Sequence, residues 1–147
     1  MIEQQVEQDV KSAMLARDSH RTETLRGLKS VFLYAKVSSG KRDEALSDDE
    51  AIALLSKEAK KRQESADLYI KGGDQARADK EIIEKEIIES YLPPKLSDDE
   101  LEAIVDDVVS KAPEPKNMGQ IIGEVKKQTA GSADGGEIAR LVKEKIS

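Results

Sequence analysis

Tyr91-Leu92-Pro93-Pro94-Lys95-Leu96-Ser97-Asp98-Asp99-Glu100 is the stretch that decides the fold of this 147-residue chain. Two successive prolines remove two backbone donors and push the residue before them out of the helical region, so a helix must end here. Ser97 followed three residues later by Glu100 is a capping box: each side chain satisfies the other's free backbone N–H. Asp98 and Asp99 suit the positive end of the helix dipole. One helix therefore stops near Tyr91 and another starts at Ser97. This break predicts an N-terminal helical domain over residues 1–92 and a C-terminal one over residues 93–147.

Upstream, Ile82, Ile83, Ile87, Ile88 and Tyr91 recur at helical spacing, where a half-buried strand would alternate strictly. They predict the core face of a helix from about Asp74 to Tyr91. Gly72-Gly73 closes the preceding helix, because glycine tolerates the left-handed terminal turn. That helix opens at Ser47-Asp48-Asp49-Glu50, the same capping signal, with Ile52, Leu55, Ala59, Ala66 and Tyr69 as its inward stripe. The flanks of the two signals do not match, so the cap is reused and the fold is not duplicated. Earlier still, Leu25, Leu28, Val31, Phe32 and Ala35 mark a helix that fails at Ser38-Ser39-Gly40. Ile2, Val6, Val10, Ala13 and Met14 mark the first helix, and the two form a hairpin.

Downstream, Leu101, Ile104, Val105, Val108 and Val109 form an apolar face until Pro113 and Pro115 end it. Two short helices follow, about Met118 to Thr129 and Gly136 to Ile146, joined by Gly131-Ser132-Ala133-Asp134-Gly135. The expected fold class is all-α: an N-terminal bundle of about four helices, then a small three-helix C-terminal domain.

Composition fits narrow apolar stripes on charged helices, since 37% of residues are charged and 37% hydrophobic. Basic side chains number 24 and acidic ones 30, for a net charge of −6. A pI near 5.0 opposes a DNA-coating role. No apolar run approaches the roughly 20 residues of a membrane span, and the start, Met1-Ile2-Glu3-Gln4-Gln5, lacks a basic region followed by an apolar one. With no cysteine there is no disulfide or thiolate metal site. The expectation is a cytoplasmic protein with neither DNA nor a membrane as partner.

Catalytic chemistry finds little to stand on. The single histidine, His20, falls at a polar helix junction, and the clustered carboxylates fall where helix caps need negative charge. Neither a G-x-x-x-x-G-K-[ST] phosphate loop nor a G-x-G-x-x-G after a strand is present. No catalytic residue, metal or cofactor is expected. Gly119 and Gly123 have the spacing that lets a neighbouring backbone approach one helix face. Charge is uneven: residues 116–147 carry six basic against four acidic side chains, making the last two helices the one basic module. A second basic row, Lys57, Lys60, Lys61 and Arg62, lies on the third helix as a potential phosphate-contact row, but Glu58 and Glu64 interleave with it and it reads mainly as a solvated face.

Asn117-Met118-Gly119-Gln120-Ile121-Ile122-Gly123-Glu124-Val125 and Gly131-Ser132-Ala133-Asp134-Gly135 resemble the tail of the YqeY-like family. Arg21-x-x-x-Leu25-Arg26, Lys57-Glu58-x-Lys60-x-Arg62-x-x-Ser65 and Tyr91-Leu92-Pro93 look like the same family, so the resemblance covers nearly the whole chain. The family's domain also closes GatB, the tRNA-binding subunit of the glutamine-dependent amidotransferase, where a three-helix tail contacts the outer corner of tRNA. The resemblance implies a non-catalytic, tRNA-associated accessory, linked to that carbon–nitrogen ligase by family alone. Its RNA-binding candidates are Lys116, Lys126, Lys127, Gly131, Gly135, Arg140 and Lys143. Where the family's turn commonly carries cations on both sides of glycine, this chain has Ala130-Gly131-Ser132. The alternative is a helical protein–protein interaction module without RNA.

Overall fold

The computed structural model describes residues 1–147 and is built of seven helices with no strand. They are α1 (Ile2–Leu15), α2 (Ser19–Ser38), α3 (Asp48–Lys71), α4 (Gln75–Glu89), α5 (Asp98–Lys111), α6 (Met118–Thr129) and α7 (Gly135–Ile146). The chain divides into two compact units, Met1–Leu92 and Pro93–Ser147. No helix is long and apolar enough to cross a membrane.

In the first unit, Asp18 caps α2 by accepting from the Arg21 N–H at 3.1 Å. At Ser47 both halves of the capping box form, the Glu50 N–H donating to the serine Oγ and the Glu50 carboxylate accepting from the Ser47 N–H. Gly73, at φ +78, supplies the left-handed residue after α3. The core gathers Val6, Val10, Leu25, Leu28, Phe32 and Leu55 around Ile88. Leu46, in the loop before α3, is also buried there, which the periodic reading did not find. Glu3 holds that loop: one oxygen accepts from the Leu46 N–H and the other from Lys36, both at 3.0 Å.

The α3–α4 pair departs from the expected isoleucine core. Ile88 is fully buried, but Ile83 is 48% exposed and Ile82 and Ile87 are half-buried. The reason is that α4 turns charged side chains toward α3. Arg62 Nε lies 3.3 Å from Glu84 Oε2 and 3.9 Å from Glu81 Oε2, while Lys85 donates to Gln63 at 2.8 Å. His20 reaches Glu84 at 3.0 Å from α2, so the lone histidine has a structural partner. Burial, and then the like charge of Glu84, push the Glu81 carboxyl above its ordinary range. Met14, placed on the α1 stripe by its spacing, is half exposed.

Tyr91 closes the unit by donating from its hydroxyl to Asp9 Oδ2 at 2.5 Å. Burial first, and then this hydrogen bond, raise its pKa well above the ordinary phenol value. The folded state thus holds the proton more tightly than the unfolded chain does. The contribution is complete below the unfolded value of about 10 and fades as pH rises through the folded value. Tyr91→Phe is expected to cost about 1 kcal/mol at neutral pH. Asp9 keeps a second donor, Gln5, at 2.9 Å, so no carboxylate is orphaned. Urea unfolding from about pH 8 to pH 11 checks both parts: the variant should lose less stability than the parent above pH 10.

The second unit has its own core, Leu101, Val105, Ile121, Val125, Ile138 and Val142 among it. The Ser97–Glu100 capping box forms in full, and α5 ends at Lys111 before the prolines.

Candidate functional site

The basic module rests on the turn between α6 and α7. Ala130 ends α6 in a left-handed conformation at φ 34, and Gly131 follows at φ +84. Ser132 is buried. Its hydroxyl and its N–H both donate to the Thr129 carbonyl, and its own carbonyl accepts from the Leu96 N–H at 2.8 Å. Asp134 then caps α7 through the Glu137 N–H at 3.2 Å, so that helix begins at Gly135, one residue before the spacing predicted. The turn is therefore fixed from both sides. Replacing Ser132 would remove the hydroxyl bond to Thr129 and leave the two backbone bonds of the turn in place.

Of the candidate cations, Lys126 lays its side chain against the turn. A Cβ on Gly135 would sit 3.3 Å from Lys126 Cε and 3.5 Å from Nζ. The bare glycine thus leaves room for the ammonium beside the first turn of α7, where free N–H groups carry partial positive charge. Lys127 adjoins it, and Lys143 lies eight residues beyond Gly135, about 12 Å along α7. All three are exposed and none forms an ion pair.

The remaining candidates have other work. Lys116 is half-buried and donates to the Val109 and Ala112 carbonyls, both at 2.7 Å, so it caps the C-terminus of α5. Its ammonium is thereby tied to the end of α5, unlike those of Lys126, Lys127 and Lys143. Arg140 forks between Glu137 and Glu144, the latter at 2.8 Å. The pairing lowers the Glu137 pKa and raises that of Arg140, chiefly through their shared hydrogen bond. Lys145 is held by Glu102 at 2.8 Å and Asp106 at 3.2 Å.

On α3 the second row splits. Lys57 and Lys60 are exposed without an ion pair. Lys61 pairs with Glu58 at 3.2 Å, and Glu58 is buried, not solvated as its place in the run suggested. Arg62 belongs to the α3–α4 interface. The Gly119–Gly123 spacing serves no close helix contact either. A Cβ at Gly123 would meet nothing within 4 Å, and one at Gly119 would meet only its own cap, Asn117, at 3.4 Å. No group of three histidine, cysteine or carboxylate side chains is arranged to hold a metal ion.

A family model described as Yqey-like protein matches residues 3–146. Two curated relatives are both named Altered inheritance of mitochondria protein 41, mitochondrial. The one from Eremothecium gossypii is 33% identical over 103 residues, covering 69% of this chain and 55% of that protein. The one from Kluyveromyces lactis is 29% identical over 125 residues, covering 82% of this chain and 66% of that protein. The chain spans between about half and two thirds of the length of these relatives.

Proposed function

Because this chain belongs to the YqeY-like family, over residues 3–146, we propose that its C-terminal unit contacts the phosphate backbone of tRNA and that the protein is a non-catalytic accessory. The observation that carries this reading is the freedom of Lys126, Lys127 and Lys143 in a unit where Arg140, Lys145, Lys116 and Lys111 all have acidic partners. Each unpaired lysine that meets a phosphate releases counterions, which makes binding salt-dependent without making it sequence-specific. Gly131 and Gly135 keep the turn narrow enough for a backbone to approach. In the same reading the protein holds tRNA for a glutamine-dependent amidotransferase and supplies no group to the reaction. Its proposed setting is the cytoplasm, although both relatives carry a mitochondrial name.

The test is a salt titration of the purified chain against Gln- and Asn-accepting tRNA, beside a plain RNA duplex. Tighter binding to tRNA than to the duplex is expected, weakening as salt rises. Lys126→Glu with Lys127→Glu should weaken it at least tenfold and reduce the salt slope by roughly 2. An unchanged slope in that variant means the surface is misplaced. A second reading, a protein-interaction module, is favoured by a cleft of about 330 Å³ between α5 and α6, with Val108, Ala112, Pro113 and Ile121 in its walls. Absence of tRNA binding near physiological salt selects that reading.

A further inference from the structure

The outward side of α2 is apolar where an amphipathic surface helix is normally polar. Leu25, Leu28 and Phe32 form its buried stripe. On the other side Leu33, Tyr34 and Val37 are 48%, 77% and 54% exposed. One exposed apolar side chain is ordinary, but three within five residues on one face make a patch. The patch forms a ridge between two clefts. The first, about 490 Å³, lies between α1 and α2 and includes Arg26, Lys29 and Leu33. The second, about 450 Å³, lies between α2 and α3 and includes Tyr34, Leu54 and Lys57.

Charge around the ridge runs against that of the whole protein. The two clefts hold Arg26, Lys29, Lys36, Lys57 and Lys61 against Glu3, Glu7 and Glu58, in a chain of net charge −6. Lys36 is committed to Glu3 and Lys61 to Glu58. Arg26 touches only the Met14 sulfur, at 3.4 Å, and Lys29 and Lys57 have no partner. Uncommitted cations thus stand on both sides of an apolar ridge.

We propose that this face of α2 is a docking site for an acidic amphipathic helix of a partner protein. Apolar side chains of that helix, at i, i+3, i+4 and i+7, would pack on Leu33, Tyr34 and Val37 and enter the clefts on either side. Its carboxylates would meet Arg26, Lys29 and Lys57, which gives the complementarity that steers association and fixes register. A flat anionic bilayer fits less well, because the surface is concave beside the ridge and carries Glu3, Glu7 and Glu58. A nucleic acid gains nothing from Leu33 and Val37, and a single tyrosine is a poor stacking platform. The site lies in the N-terminal unit and is independent of the tRNA reading.

The experiment places a photoreactive side chain in the full protein in cells, as Tyr34→benzoylphenylalanine, with Leu68→benzoylphenylalanine as the exposed control. The expected result is a protein adduct formed from position 34 and not from position 68. The cross-linked segment, identified by mass spectrometry, should alternate carboxylates with apolar residues at helical spacing. As a synthetic peptide it should bind the purified chain, and Arg26→Glu with Lys29→Glu should weaken it at least tenfold while leaving tRNA affinity unchanged. An adduct with RNA, lipid or a second copy of the chain overturns the proposal. So does a segment without acidic residues, equal yield at position 68, or no adduct at all.

Discussion

Phe32→Ala is expected to destabilise the N-terminal unit by about 3–5 kcal/mol, the cost of deleting a buried aromatic ring together with the cavity it leaves. Phe32 is 1% exposed and is the single phenylalanine of the chain. The same core also contains Ala13, Ala51 and Ala59, whose methyl groups have no rotamer freedom with which to fill a cavity. Little relaxation is therefore available, which places the loss toward the upper end of the range. Whole domains are stable by only about 5–15 kcal/mol, so the variant would lose much of its margin. A fall in Tm on the order of 20–30 °C should follow, read by circular dichroism during heating. Tyr34→Ala, two residues along the same helix but 77% exposed, should stay within about 0.5 kcal/mol. If the two variants lost equal stability, the orientation of α2 would be wrong.

The contrast between Phe32 and Tyr34 shows which parts of the fold were legible in the chain. Phe32 sits seven residues after Leu25 and four after Leu28, so spacing alone turned it inward. The two capping boxes and the Pro93-Pro94 break were equally plain, because the physics that creates them acts within four residues. The α3–α4 interface was not legible. Its partners are Arg62, Glu81, Glu84, Lys85 and His20, charged or polar residues that periodicity assigns to solvent, and their pairing exists only once three helices meet. Ile83 was assigned to the core for the same reason: it was apolar and in phase, but the charges had taken the facing side.

The candidate site divides in a similar way. The identity of each lysine was visible, but its freedom was not. Arg140 has Glu137 three residues before it and Glu144 four after it, spacings at which helix neighbours meet, so its neutralisation was written in the sequence. Lys145 finds Glu102 and Asp106 on α5, and Lys116 finds the open carbonyls at the end of that helix. Those are tertiary facts. Thr22 and Thr24 are buried as well, each hydroxyl donating to the carbonyl four residues earlier, so the helix itself satisfies the polar group that burial would otherwise orphan.

Val125→Asp is expected to unfold the C-terminal unit. Val125 is fully buried in a core that residues 93–147 complete by themselves. A core of this size rarely supplies more than about 3–5 kcal/mol. An aspartate placed there must either remain charged in apolar surroundings or take up a proton. Lifting its pKa from about 3.9 past 7 costs about 4 kcal/mol, and losing the buried valine adds about 1.5 kcal/mol or more. The sum exceeds the margin. Amide hydrogen exchange over residues 98–146 should show protection lost along α5, α6 and α7. Val125→Ala removes about 2 kcal/mol and should leave those amides protected, with Lys126 and Lys127 still presented on α6. The pair separates folding from recognition. Under the proposed function, tRNA affinity survives Val125→Ala and disappears with Val125→Asp. Charge reversal at Lys126 and Lys127 should instead weaken it at least tenfold while protection is intact. Full tRNA affinity in an unprotected Val125→Asp tail would mean that the lysines bind as a flexible string and that the turn around Gly131 plays no part.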